Sequence, residues 1–214
     1  ESGYFKKITL QSLRMASDHK LKDGDFISQQ FESTNKAELL FFTDNATVYK
    51  TKASQFDDTK ASAYGDYVPA KLNFESDENV KSMVVTKDYS GYMIFVYENG
   101  KVAKVPLKAY ETKTNRKKLA NAYSSKSKLI SIFHIEDNAQ LMLRSTNGRA
   151  IVFDTALLMP KASRDTIGVQ AMTLKAKSDV EKAFVIDGET LEQLKKYQIK
   201  TIPAAGCFAK GIAF

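Results

Sequence analysis

A single cysteine, Cys207, leaves no partner for an internal disulfide, and no basic segment followed by an apolar stretch opens the chain. A reducing cytosol is therefore the expected compartment. No apolar run approaches the roughly 20 residues that cross a bilayer, so a membrane is not an expected partner. The two histidines, His19 and His134, lie far apart with no Cys, Asp or Glu at ligand spacing, which argues against a metal site. A Gly-rich phosphate loop is also missing, because Gly100 and Lys101 lack both the upstream Gly and the following Ser or Thr. The acidic residues Asp23, Asp25, Asp77 and Glu78 read as solvated turns, since nothing fixes a second acid opposite them. These absences argue against a metal site and place ATP hydrolysis elsewhere, and no cofactor is expected in this chain.

What is abundant is positive charge. Thirty-two Lys and Arg stand against 25 Asp and Glu, for a net charge of +7 and a pI near 9.2, which biases the partners toward polyanions. A hydrophobic content of 43% over 214 residues suffices for a sizeable core within one domain.

A strand phrase recurs about every fifty residues, the period of an array of similar sheets. Each copy is an apolar run, a turn, and a basic strand ending on a large apolar residue. The first full copy runs through Leu39, Leu40, Phe41 and Phe42 to a turn at Asn45 and Ala46, then Val48, Tyr49 and Lys50, ending at Phe56. The next has Met93 to Tyr97, Asn99 and Gly100, then Lys101 to Lys104, ending at Tyr110. The third has Leu141 to Leu143, Asn147 and Gly148, then Arg149 to Val152, ending at Leu158. The chain opens partway through the phrase, at Gly3, Tyr4, Phe5, Lys6 and Lys7, ending at Leu13. Asn-Gly between two short apolar runs predicts a two-residue type I′ hairpin, and Asn45-Ala46 is the same turn with a poorer residue.

A third strand follows in each copy, at residues 80–85, 129–135 and 180–186. Gly24, Gly65 and Gly168 mark where a fourth strand bends. Four strands per repeat, none able to bury both faces alone, give a propeller-like all-β disc. The blades fall roughly at 1–37, 38–91, 92–139 and 140–202, in a single domain spanning 1–214. Near the end, residues 189–196 have helix-forming composition, 197–202 return to strand alternation as a closing strand, and 203–214 form a partly disordered tail.

These phrases, residues 3–10, 39–43 with Val48 to Lys50, and 100–107, resemble the blade repeats of the C-terminal domain of the A subunits of bacterial DNA gyrase and topoisomerase IV. The resemblance runs from Gly3 to about Ile186. It implies a β-pinwheel, a propeller-like disc of about four four-stranded antiparallel blades that exchange strands, with a short C-terminal helix, whose basic rim bends double-stranded DNA. It further implies that this is the non-catalytic accessory domain of an ATP-dependent type IIA topoisomerase. Its partners would be DNA, the remaining domains of the same subunit and the separate ATPase subunit, with ATP and Mg²⁺ held elsewhere. Strand cleavage in that family uses a tyrosine beside an arginine, and none of the ten tyrosines here follows an Arg. Tyr49, Tyr92, Tyr97 and Tyr110 read instead as packing residues between sheets.

In gyrase the first blade carries a box rich in Gln, Arg, Gly and Lys on which supercoiling depends. At the matching place, residues 14–24, only Arg14, Lys20 and Lys22 are basic, and Asp18 and Asp23 dilute them. The departure points toward a topoisomerase IV-like protein that relaxes and decatenates DNA, with a gyrase bearing a degenerate box as the alternative.

The charge pattern supports DNA on separate grounds, because a cation in every blade can neutralise successive phosphates. Lys7, Lys50 and Lys104 share one repeat position, and Lys60, Arg116 and Arg164 recur past the terminal apolar residue. Lys113, Arg116, Lys117 and Lys118 form the densest cluster. Lys6, Lys52, Lys101 and Arg149 add to the basic strands, and with Arg14, Lys20 and Lys22 complete the candidate set. None is placed to read base edges, so backbone contact without sequence preference is expected. A protein-binding scaffold and a propeller enzyme are the competing classes; the first would show an apolar patch and the second a cluster of acids.

Overall fold

The apolar runs and basic strands pair as expected into antiparallel hairpins. The computed structural model describes residues 2–114 and 116–209, so the last five residues of the predicted tail lie outside it. The chain forms two compact units, Glu1–Asp88 with Thr112–Ala122, and Tyr89–Glu111 with Tyr123–Phe214.

In chain order, β1 (Tyr4–Phe5) leads to a helical turn, α1 (Leu10–Arg14). The hairpin of β2 (Glu38–Thr43) and β3 (Val48–Lys52) is followed by the short β4 (Asp66–Tyr67), α2 (Val68–Lys71) and β5 (Val80–Thr86). Next come β6 (Tyr92–Tyr97), β7 (Lys101–Pro106), β8 (Lys118–Leu119) and β9 (Leu129–Ile135). The last repeat has β10 (Gln140–Ser145), β11 (Arg149–Asp154), β12 (Val169–Gln170) and β13 (Val180–Ile186), then α3 (Gly188–Gln193) and β14 (Cys207–Phe208).

The first unit holds the four-stranded sheet β5-β2-β3-β8 and the two-stranded sheet β1-β4. The second holds the four-stranded sheets β12-β7-β6-β9 and β13-β10-β11-β14. Five of the six residues of β2 and of β6 are buried, because both faces of these strands are covered, and this is why their sequences read as unbroken apolar runs. The outer β5 alternates instead between buried and partly exposed positions.

The hairpin turns differ from the expected two-residue type. Gly100 and Gly148 donate to the carbonyls of Tyr97 and Ser145, and the ladders close at Phe42↔Val48, Val96↔Val102 and Arg144↔Ala150 before each loop. Only the third loop residue is left-handed, with φ of 51° at Ala46, 80° at Gly100 and 76° at Gly148. A three-residue loop with one left-handed residue tolerates an ordinary φ at the preceding Asn, which a type I′ turn would not.

Strand exchange has one register throughout. The residue two past each turn, Phe5, Val48, Val102 or Ala150, lies opposite Asp66, Leu119, Val169 or Cys207 of a short strand contributed from later in the chain. Gly65, Gly168 and Gly206 precede three of these residues. A Cβ on any of them would stand 2.3–2.4 Å from the carbonyl oxygen of the facing residue, so only glycine permits the approach. In the remaining sheet Lys118 takes that place and pairs regularly with Tyr49. Gly24 faces open space and bends no strand, unlike its expected role.

A helical turn ends each basic strand, and its first residue bonds back to the residue before the hairpin: Ala53 to Ala37, Leu107 to Gly91, Thr155 to Ala139. The terminal apolar residues Phe56, Tyr110 and Leu158 are consequently buried. Phe56 joins Phe5 and Phe41 with ring centroids 4.6–6.2 Å apart. Burial of each such ring contributes roughly 2–3 kcal/mol.

The C-terminal helix forms as expected, but the closing strand is Cys207–Phe208, beyond residues 197–202. Tyr197 ends a 3₁₀ turn and is buried like Phe56 and Tyr110, so its segment repeats the helical turn. The pairing strand follows at the next suitable glycine, Gly206.

Candidate nucleic-acid interface

The repeated lysine position does not face solvent. Lys50 and Lys104 are only 7% and 4% exposed, because both faces of β3 and β7 are covered. Lys104 Nζ donates to Asn138 Oδ1 at 2.6 Å and to the Thr155 carbonyl at 3.1 Å, and lies 4.5 Å from the Tyr92 ring centre. Burial holds its pKa below the usual lysine value. Lys50 Nζ donates to Thr112 Oγ1 at 3.1 Å, with Glu38 at 3.9 Å. Lys7 Nζ reaches Asn35 Oδ1 at 3.0 Å and Asp58 at 3.2 Å. These three lysines are struts between neighbouring segments. Reaching a phosphate would cost Lys104 its bond to the buried Thr155 carbonyl, and Lys7 and Lys50 the bonds that join them to neighbouring segments.

Four other candidates are likewise engaged. Lys6 Nζ bonds the carbonyls of Lys20 and Ala61 at 2.6 and 3.0 Å, and burial lowers its pKa. Lys118 is paired with Glu75, whose hydrogen bond raises its pKa. Arg149 Nη1 donates to the Gly206 carbonyl at 2.7 Å while its guanidinium covers the Phe208 ring at 4.5 Å, which fastens the closing strand. Arg164 Nη1 donates to the Ala109 carbonyl at 3.1 Å.

The rest of the set is accessible. Arg14, Lys20, Lys22, Lys52, Lys60, Lys113, Arg116 and Lys117 are exposed, and Lys101 partly so. Lys20 and Lys22 each place their ammonium 4.5 Å from the Tyr64 ring centre. Lys113, Arg116 and Lys117 lie near two bonds, from Lys50 N–H to the Lys117 carbonyl and from Thr112 Oγ1 to the Thr114 carbonyl, and their side chains are exposed.

The backbone also reveals cations that the sequence reading passed over. Thr59, Lys161 and Ile199 donate their N–H groups to the carbonyls of Lys7, Lys104 and Val152, which are equivalent strand positions. Lys60, already in the candidate set, and Lys200 each stand one residue past that donor, and Lys161 is itself the donor; all three are exposed at the start of the loops leading to β4, β14 and β12. In the second unit a recess of about 250 Å³ lies between Lys101 and Lys126 beside Ser124 and Ser127. Among the described residues no group of three or more His, Cys, Asp or Glu could hold a metal, and no helix is long and apolar enough to cross a membrane. Tyr49, Tyr97 and Tyr110 are buried between strands, as packing residues.

The family model described as "DNA gyrase C-terminal domain, beta-propeller" matches residues 37–65 and 139–187. The A subunit of DNA gyrase from Streptomyces coelicolor is 31% identical over 165 residues, covering 73% of this chain and 19% of that protein. The A subunit of DNA topoisomerase 4 from Bacillus subtilis is 24% identical over 198 residues, covering 90% of the chain and 24% of the relative. The chain thus spans about a fifth to a quarter of the length of these curated relatives. Among solved structures, the C-terminal domain of DNA topoisomerase IV superposes with a TM-score of 0.76 at 24% identity, over 88% of this chain and 59% of that one. The E. coli ParC C-terminal domain gives 0.65 at 12% identity, over 91% and 85%. The repeated hairpins, the exchanged strands in one register and these matches together place the chain in the family of β-pinwheel C-terminal domains of type IIA topoisomerase A subunits.

Proposed function

We propose that this domain binds double-stranded DNA through its phosphate backbone and bends it, as the non-catalytic accessory domain of an ATP-dependent type IIA topoisomerase. The observation that carries this reading is the recurrence of exposed cations on the loops that lead to the exchanged strands: Lys60; Lys113, Arg116 and Lys117; Lys161; and Lys200. Loop lysines and arginines of this kind neutralise phosphates and release counterions without reading base edges. The other domains of its own subunit and the ATPase subunit would then be its partners in a bacterial cytoplasm, with ATP and Mg²⁺ bound there.

Within that class the domain serves relaxation and decatenation, as in topoisomerase IV. In support, Asp18 and Asp23 interrupt the basic residues of segment 14–24, and Lys20 and Lys22 stack on Tyr64. The 31% identity to a gyrase relative favours the second reading, a wrapping domain of a supercoiling enzyme.

The test is binding to a duplex of about one hundred base pairs across a salt series, with a fluorescence transfer pair on the DNA ends. Salt-sensitive binding that draws the ends together is expected. No binding at low salt would sink the DNA reading. Supercoiling by the reconstituted enzyme would decide for gyrase.

A further inference from the structure

We propose that the recess beside the β6–β7 hairpin loop in the second unit is a seat for one phosphate group, held between Lys101 and Lys126 with the hydroxyls of Ser124 and Ser127. The proposal rests on the DNA reading for the source of that group, a diester of the bound duplex. The recess has a volume of about 250 Å³, and its lining includes two lysines and no carboxylate. At roughly 30 Å³ per water molecule, that leaves room for a phosphate group and several waters.

The neutral groups of the recess are left as donors. Asn99 Oδ1 accepts from Lys101 N–H at 3.1 Å, so the carboxamide keeps its NH2 for a ligand. Ser124 is only 4% exposed, and its Oγ accepts from Lys126 N–H at 3.3 Å, which leaves the hydroxyl proton to donate. The Ser124 N–H in turn donates to the Tyr97 hydroxyl at 3.1 Å and ties this turn to β6. Donors positioned by the fold beside two ammonium groups suit an oxyanion, because hydrogen bonds to an ionised acceptor are about twice as strong as neutral ones.

The equivalent turns of the other sheets lack these features. In each repeat a hairpin-loop N–H, of Asp44, Glu98 or Thr146, donates to the carbonyl just before the third strand, at Asn79, Lys128 or Asp179. Turns 75–78, 124–127 and 175–178 therefore correspond. The first is acidic: Glu75 pairs with Lys118, and the buried Glu78 accepts from the Thr43 and Tyr49 hydroxyls. Such a turn repels a phosphate. The last carries Lys175 and Lys177, but Ser178 spends its hydroxyl proton on the Lys175 carbonyl at 2.7 Å. One acid stands near the middle turn. Asp165, whose carboxyl is held below the usual range chiefly by the Ser163 hydroxyl and more weakly by Arg164 and Lys126, is the competitor that a phosphate displaces.

The test follows the 214-residue chain by the salt dependence of duplex binding and by its amide resonances under titration with inorganic phosphate. Lys101→Gln combined with Lys126→Gln should lower the salt slope by roughly 0.9, one phosphate shared by two lysines. A fall of about 1.8 would mean two separate contacts and overturn the seat, as would an unchanged slope, and either result leaves the DNA reading standing. Ser124→Ala should weaken binding about fivefold with the slope unchanged. Asp165→Asn should tighten it about two- to threefold. Unaltered affinity in both variants would also overturn the seat. No duplex binding by the unsubstituted chain would sink the DNA reading instead, and the phosphate titration then decides. Saturable shifts at Ser124 and Lys126 that the double variant loses would assign the seat to free phosphate; no such shifts would overturn it. Thermal unfolding checks that each variant keeps the fold.

Discussion

Lys104 Nζ stands 2.6 Å from Asn138 Oδ1, and the same ammonium bonds the Thr155 carbonyl, so this lysine joins β7 to the loop before β10. Lys7 makes the corresponding reach to Asn35 before β2. A lysine recurring in register across repeats therefore marks an internal strut. Lys104→Met should lower stability by about 1–3 kcal/mol, because the buried Thr155 carbonyl loses its lysine donor and the tie to Asn138 is broken. The salt dependence of DNA binding should not change. Denaturant melts beside a salt titration separate the two effects.

The loop cations should behave in the opposite way. Replacing Lys113, Arg116 and Lys117 together by Ala removes exposed side chains, so the fold should survive. The slope of log binding constant against log salt should fall by roughly 3, at about 0.9 for each phosphate no longer neutralised. An unchanged slope would remove this loop from the interface.

Gly168 tests the exchanged strand. Its φ is 73° and a Cβ would lie 2.3 Å from the Val102 carbonyl oxygen, so Gly168→Ala should cost on the order of 2–4 kcal/mol and release β12. Gly24→Ala has a similar φ of 76° with nothing within 4 Å, and should cost only about 1 kcal/mol. Amide exchange at Val102, which lies opposite Val169 of β12, should rise in the first variant alone.

Ala46 holds a left-handed φ of 51° where the other full hairpins have glycine. Ala46→Gly should raise stability by about 0.5–1 kcal/mol, the left-handed strain relieved less the added freedom of the unfolded chain. Thermal unfolding provides the check.

Alkaline pH should unfold the domain through its buried phenols. Burial raises the pKa of Tyr97 well above the ordinary 10.0, and that of Tyr110 likewise. A raised folded-state pKa means that the unfolded chain releases the proton first. Stability is therefore full below about pH 10 and is lost as pH rises through the folded values. Tyr97→Phe should make that loss shallower. At neutral pH it should cost about 1–2 kcal/mol, since Ser124 N–H donates to the Tyr97 hydroxyl at 3.1 Å. Unfolding free energies measured on both sides of pH 10 would show a parallel fall if the phenol has no such role.

The sequence by itself determined the elements whose signals are local. Apolar runs marked β2, β6 and β10, turn residues marked the loops, and the three later strands at 80, 129 and 180 were legible because a few neighbouring residues decide strand and turn formation. The exposed cluster at Lys113, Arg116 and Lys117 was legible too, being dense and polar. Only the tertiary structure decided which cations face water. Lys50 and Lys104 look solvent-facing under strand alternation, yet sheets covered on both faces bury them, and no local pattern reports what a distant segment covers. The closing strand at Cys207–Phe208 is likewise two residues long, too short to show periodicity. It exists because Ala150 lies opposite Cys207 and Gly206 allows close backbone approach, a pairing made across more than fifty residues of chain.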